Sequence, residues 1–282
     1  MTLPGQIHVA CDTTVFRYVL HNESPWLDDF AEMAAGNLVV FSLADHAVAE
    51  VINQIEGNSL PADELTNAIR QCARFISPAL PILPGKKQLI NWCKTDPNNE
   101  ELALDIRYGI EGWKSILNLS TIGDFKKSIL AGKAGEELER ERKAWQNDLD
   151  APPGWQPTLT LAERLAALAD GLDSDAQCSP SLVVRLDAAL RHWDQILLKM
   201  QHGMNPISKK RRNDGIDYNM AFVFAKRILL CTNDKPYYEA IKSLGSFQSD
   251  WIFQPQELVV RCRERKLARP IWEDAYAEGM AI

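Results

Sequence analysis

Two short apolar runs, one near each end of the chain, stop at polar tips that carry an aspartate. The first is Ile7-His8-Val9-Ala10-Cys11, followed by Asp12-Thr13-Thr14; the second is Ile228-Leu229-Leu230-Cys231, followed by Thr232-Asn233-Asp234. Each run is too short for a confident helix and is bounded by polar residues, which reads as a buried strand. Buried strands separated by helical text belong in a parallel α/β sheet, and such sheets build their sites just beyond the carboxyl ends of the strands. This feature constrains fold and site together, because it delivers two carboxylates to one edge of one sheet.

The rest of the first third agrees. Residues 26–35 predict a short helix ending at Gly36, and Leu38-Val39-Val40-Phe41-Ser42 a second strand. Apolar residues at 43, 47, 48, 51, 52 and 55 have helical spacing and carry Glu50 with them. Pro61 opens another helix, with Leu65, Ile69, Cys72 and Ile76 on one face and Pro78 and Pro81 as its end. From about 84 to 155 strand signals vanish. The mixed-sign run Glu136–Lys143 suits a solvated helix, and Thr160-x-x-Glu163 is a capping box ahead of Leu161–Ala169. Ser179-Pro180 opens a helix striped by Leu182, Leu186, Ala189, Leu190, Trp193, Ile196, Leu197 and Met200.

Beyond Asn213 the α/β text returns. A helix carries Tyr218, Ala221, Phe222, Ala225 and Ile228, the second aspartate-tipped strand follows, and another helix runs to about 244. Trp251-Ile252-Phe253 predicts a last edge strand, with Pro255 and Glu257-Leu258-Val259 as its exit. The expected fold class is therefore α/β, with a central, mainly parallel sheet flanked by helices in three layers. Residues 1–83 and 205–282 would form this core discontinuously, and 84–204 an all-helical insertion.

At 282 residues the chain can bury a sizeable core. A net charge of −7 argues against a surface that grips any duplex through positive charge, although one local basic patch can still hold a polyanion. The six cysteines are scattered without a CxxC pair, so buried free thiols are expected, notably Cys11 and Cys231 in the strands. No apolar stretch approaches the ~20 residues of a membrane span, and the start lacks a signal-peptide pattern. The expectation is a cytoplasmic protein with no membrane partner.

Five carboxylates recur in this pattern: Asp12 and Asp234 at strand tips, Glu50 on the helix after a strand, and Asp214 and Asp217 at a helix start. Taken singly, each has a structural explanation. Asp12 and Asp234 suit helix caps, Glu50 a solvent-facing helix position, and Asp214 and Asp217 the positive end of a helix. Brought together they would repel unless a hard divalent cation joined them.

Their order along the chain resembles that of PIN-like nucleases. Asp12-Thr13-Thr14-Val15-Phe16 is similar to that family's first block, and Glu50-Val51-Ile52 to its second acidic motif. Asn213-Asp214-Gly215-Ile216-Asp217-Tyr218, followed by Leu230-Cys231-Thr232-Asn233-Asp234, is similar to its C-terminal block. The resemblance covers about 1–56 and 205–260; the large middle segment departs from the compact family core. It implies a PIN-like fold and phosphodiester hydrolysis by water that Mg²⁺ or Mn²⁺ activates.

Asp12, Glu50, Asp217 and Asp234 would be the catalytic carboxylates. Asp12, Asp217 and Asp234 would ligate metal, with Glu50 completing the site and Asp214 competing with Asp217 for the third acidic position. Thr13 and Thr232 would orient a ligand or contact phosphate. Lys209-Lys210-Arg211-Arg212, ordinarily a solvated loop, would become a phosphate clamp. RNA is favoured over DNA as substrate, in a toxin, defence or processing role, and the helical insertion could bind a protein partner or a second copy. His8, His21, His46, His192 and His202 show no ligand spacing, and none is assigned a catalytic role.

Two other functions fit parts of this pattern. A catalytically silent PIN-like scaffold would use the insertion as its working surface. A haloacid-dehalogenase-like phosphohydrolase also begins with strand and aspartate, but Thr14 occupies its second aspartate position, and Asp214 follows Lys-Lys-Arg-Arg-Asn rather than a strand.

Overall fold

The computed structural model describes residues 6–21, 24–47, 50, 62–86, 88–89, 100–118, 136, 139–140, 142–143, 184–205 and 214–271. Most of the helix expected at 43–56, the capping box at 160–163, the opening Ser179-Pro180 and the basic run Lys209–Arg212 lie outside them.

Among the described residues four strands form one sheet, β1 (Ile7–Cys11), β2 (Val39–Leu43), β3 (Leu229–Cys231) and β4 (Ile252–Phe253), in the order β2-β1-β3-β4. All three pairings are parallel. The central strand β1 is buried along its whole length, as its apolar run, interrupted only by His8, requires of a strand covered on both faces. Its register sets Cys11 beside Leu43 on one side and beside Cys231 on the other, so three strand ends stand level. Backbone bonds carry the ladder past those ends: Ala44 N–H donates to Cys11 O at 2.9 Å and Asp12 N–H to Cys231 O at 3.1 Å. The segment after the third helix adds parallel bridges on the β2 side, Phe41 with Ile76 and Leu43 with Ile82.

Eight helices surround the sheet among the described residues: α1 (Thr13–Leu20), α2 (Leu27–Ala35), α3 (Ala62–Cys72), α4 (Glu100–Leu117), α5 (Asp187–Gln201), α6 (Asp214–Met220), α7 (Lys235–Lys242) and α8 (Pro255–Arg263). Helix α2 ends at Gly36, and Asn37 takes the left-handed conformation, φ 55°, that turns the chain into β2. Phe30 of α2, Phe41 of β2, Phe75 and Trp26 form an aromatic cluster with centroid separations of 4.6–5.5 Å. Parallel strands with helical connections make this an α/β protein consistent with three layers.

Several expectations are corrected. Ile76 does not lie on the α3 face, because that helix stops at Cys72 and Ile76 instead pairs with β2. The helix after Asp217 becomes a 3-10 segment at Ala221–Lys226, closed by Arg227 at φ 56°. The exit after the last strand is a full helix, α8, with Pro255 at its start, Glu257 in its first turn and Arg261 and Arg263 in its last.

Helix α5, from the segment 84–204, contributes Ala189, Leu190, Trp193, Ile196 and Leu197 to the same core cluster as the sheet. Its start is pinned by Gln248, which is fully buried. The Gln248 carbonyl accepts from Ala188 N–H at 2.8 Å, and its amide donates to the Arg185 carbonyl at 2.9 Å. Gln248→Leu strands both backbone groups and is expected to cost about 2 kcal/mol, read from urea unfolding. Wild-type stability in that variant would mean the anchor contributes nothing.

Candidate active site at the carboxyl edge of the sheet

The strand order places β2 on one side of β1 and β3 on the other, so the chain reverses direction across the sheet between β1 and β3. That reversal opens a crevice beyond the carboxyl ends of the strands, the usual ligand position in open α/β sheets. A cavity of about 120 Å³ lies there, lined by Asp12, Thr13, Thr14, Arg17, His46, Ala47, Glu50, Ile216, Asp217, Met220, Asp234 and Tyr237. Asp12 follows β1, Asp234 follows β3, Glu50 lies on the helical segment after β2, and Asp217 sits on α6.

Both strand-tip aspartates cap helices. Asp12 Oδ1 accepts from Val15 N–H at 3.1 Å at the start of α1, and Asp234 Oδ1 accepts from Tyr237 N–H at 2.9 Å at the start of α7. Capping therefore accounts for one oxygen of each. The rest of the bonding ties the two strand tips to one another. Asp12 accepts from the Thr14 hydroxyl at 2.6 Å and, through its other oxygen, from the Thr232 hydroxyl. The Thr14 hydroxyl in turn accepts from Asn233 N–H at 2.7 Å, and the Thr232 hydroxyl from Asp234 N–H at 3.0 Å. Thr13 donates to Glu50 Oε2 at 2.5 Å, bringing the second acidic residue to the first strand tip.

The carboxylates feel one another. Burial pushes Asp12 up from 3.8 to about 6, against the lowering effect of its hydrogen bonds, and the charge on Asp234 adds to the rise. Asp217 is raised well above the ordinary carboxylate range, first by burial and then by the charges of Asp234, Glu50, Asp214 and Asp12. Five carboxylates are thus electrostatically coupled at one place, with Asp217 at their focus. Such coupled, perturbed acids in a cleft mark a functional-site candidate.

Of the expected site residues, Asp12, Thr13, Glu50, Asp217 and Asp234 line the cavity; Thr232 stands just behind it, bonded to Asp12. Asp214 opens the same helix as Asp217 but is not among the lining residues. Arg17, His46 and Tyr237 also line the cavity and were not expected. Two of them have a periodicity signal: Arg17 lies four residues after Thr13 on α1, and His46 lies four before Glu50 on the helical segment.

The all-oxygen carboxylate and hydroxyl set suits a hard cation such as Mg²⁺ or Mn²⁺. Among the described residues, no three His, Cys, Asp or Glu side chains stand close enough to hold a metal ion as they are placed. The cysteines stay outside this chemistry: Cys11, Cys72 and Cys231 are buried and free, and burial pushes the thiols of Cys72 and Cys231 well up. His8 is likewise structural, buried against the Ser42 hydroxyl at 2.8 Å and lowered by burial to about 3. No helix among the described residues is long and apolar enough to cross a membrane.

Fold and site together define a parallel α/β protein with an acidic cavity at its topological switch point. No protein-family model, curated protein or solved structure matches the chain significantly.

Proposed function

We propose that this chain is a PIN-like, divalent-cation-dependent nuclease that hydrolyses phosphodiester bonds, with RNA the favoured substrate. The observation that carries the reading is the meeting of Asp12, Glu50, Asp217 and Asp234, from four separate segments, in one cavity at the switch point. Mutual repulsion on this scale lowers stability and has no structural benefit, whereas a bound cation converts it into affinity.

Asp12, Asp217 and Asp234 would hold the cation, with Glu50 completing the set and Asp214 adding charge from behind. No three of these side chains stand close enough to hold an ion as they are placed, so Asp217 and Asp234 would turn inward toward Asp12 as the ion binds. Mg²⁺ or Mn²⁺ bound there would supply a Lewis acid and neutralise the cluster. The water oxygen bonds to phosphorus as the bond to one ribose oxygen breaks. The water's proton passes to the Glu50 carboxylate and on to solvent, and the leaving oxygen takes a proton from solvent. Thr13 holds Glu50, while Thr14 and Thr232 hold Asp12 in place for this work. Arg17, the only Arg or Lys lining the cavity among the described residues, supplies positive charge to a phosphate, and Lys209–Arg212 would extend that grip.

The test is incubation of the purified protein with labelled RNA and DNA, single- and double-stranded, in Mg²⁺, Mn²⁺ or EDTA. Cleavage is expected with either metal, and its loss in EDTA and in both Asp12→Ala and Asp234→Ala. Activity surviving either substitution would sink the reading. One observation favours a second, catalytically silent reading: Asp12 and Asp234 are already employed as helix caps, and no three ligands are in place. A protein that neither cuts nor binds a divalent cation would be that scaffold.

A further inference from the structure

We propose that the Tyr237 hydroxyl donates a hydrogen bond to a non-bridging phosphate oxygen of the nucleic acid held in this cavity. The inference rests on the nuclease reading and adds a substrate-contacting residue that the carboxylate chemistry does not demand. Tyr237 lies in the first turn of α7, where its N–H is bound to Asp234 Oδ1 at 2.9 Å. Its ring packs against that of His192 from α5, with centroids 5.9 Å apart. Backbone and ring are therefore both fixed.

The hydroxyl at the end of that fixed ring is closed to water in the present arrangement and finds no hydrogen-bond partner among the described residues, so the inward turn of the carboxylates on cation binding must open it to the cavity. A buried donor without an acceptor costs free energy, so it calls for a reason. Tyr237 lines the same cavity as Asp12, Asp217 and Asp234 and senses the charges of all three, Asp217 most strongly. Ionised carboxylates are acceptors only and are placed to receive a cation. A phosphodiester also presents only acceptors on its non-bridging oxygens, and the carboxylates repel it. The Thr13 and Thr14 hydroxyls on that wall already donate to Glu50 and Asp12, whereas the Tyr237 hydroxyl is a neutral donor not committed to a carboxylate. Its hydrogen bond strengthens as negative charge gathers on the phosphate oxygens during attack. Tyr237 keeps its proton, and none of its bonds forms or breaks.

Tyr237→Phe removes the hydroxyl and keeps the ring. Three quantities decide the matter in full-length protein: kcat on a labelled single-stranded RNA in Mn²⁺, Mn²⁺ affinity, and melting temperature without metal. A fall in kcat of about 100-fold is expected, with Mn²⁺ affinity unchanged and the melting temperature equal to or above wild type. Wild-type kcat in the variant would overturn the inference and leave the nuclease reading standing. A lower melting temperature would assign the hydroxyl a structural role and would also overturn it. Failure of the wild-type protein to cleave would remove the nuclease reading, and the inference with it.

Discussion

Replacing Asp217 with asparagine is expected to stabilise the metal-free protein at pH 7.5 and to abolish nucleic-acid cleavage. Asp217 is raised by burial and by four neighbouring carboxylates, so in its ionised form it opposes folding. Asparagine has nearly the same shape and removes that charge. Relief of active-site repulsion commonly yields about 1 kcal/mol, which in a chain of this size shifts the melting temperature by ~2–4 °C. Cleavage should fall by ~10³-fold or more, the scale of loss when one member of a group that acts as a unit is removed. The opposite signs are the signature of a site that trades stability for function. A structural aspartate would show the reverse pattern, with lower stability and unaltered cleavage. Differential scanning calorimetry in EDTA, beside a cleavage assay in Mn²⁺, reads both effects.

The second large effect is the pH dependence of stabilisation by a divalent cation. Asp12 is raised in the folded protein from 3.8 to about 6. A raised carboxylate favours the folded state when it is protonated. Its contribution is fully present below about pH 3.8 and is lost as pH rises through about 6. For the metal-free protein, wild type minus Asp12→Asn should therefore lose about 1.4 kcal/mol of stability between pH 5 and pH 7.5, from the shift of roughly two units.

A cation reverses this dependence, because it binds the ionised cluster. At pH 7.5, with Mn²⁺ about a hundredfold above its dissociation constant, the gain is ~2.7 kcal/mol, or ~5–10 °C in melting temperature. At pH 5 the Asp12 proton must leave before the cation binds, so the shift should shrink. Equal shifts at the two pH values, or a larger one at pH 5, would exclude this cluster as the cation site. Thermal scans with and without Mn²⁺, using wild type and Asp12→Asn, provide the comparison.

The parts legible in the sequence share one property: they depend on short-range pattern. The run Ile7–Cys11 is apolar but for His8 because β1 is the central strand, and its tip is polar because the buried Asp12 caps the helix that follows. The same holds for Leu229–Cys231 and Asp234, so the two aspartates could be placed at one edge before any contact was known. Helix α2 stops at Gly36 as its sequence suggests, although the left-handed turn into β2 is made by Asn37.

What escaped depends on packing between distant segments. Tyr237 reads as an ordinary apolar position in α7; only its packing against His192 of α5 and its place in the cavity wall set it apart. His46 has no metal-ligand spacing in the sequence, yet it shares a wall with Glu50. Gln248 looks like a loop residue until it meets the start of α5. Ile76 fits a helical face by spacing, but the turn after Cys72 hands it to the edge of β2. The separation of Asp214 from Asp217 also needed three dimensions, since both occupy the first turn of α6 and only Asp217 lines the cavity.

The central claim is that carboxylates from four segments form one cation site. Titration of Mn²⁺ into the metal-free protein at pH 7.5, followed by the electron paramagnetic resonance signal of the free ion, tests it most directly. Loss of free Mn²⁺ signal with wild type, and its return to the protein-free level with Asp217→Asn, is the predicted result. An undiminished signal with wild type, or equal binding by the variant, would contradict the account.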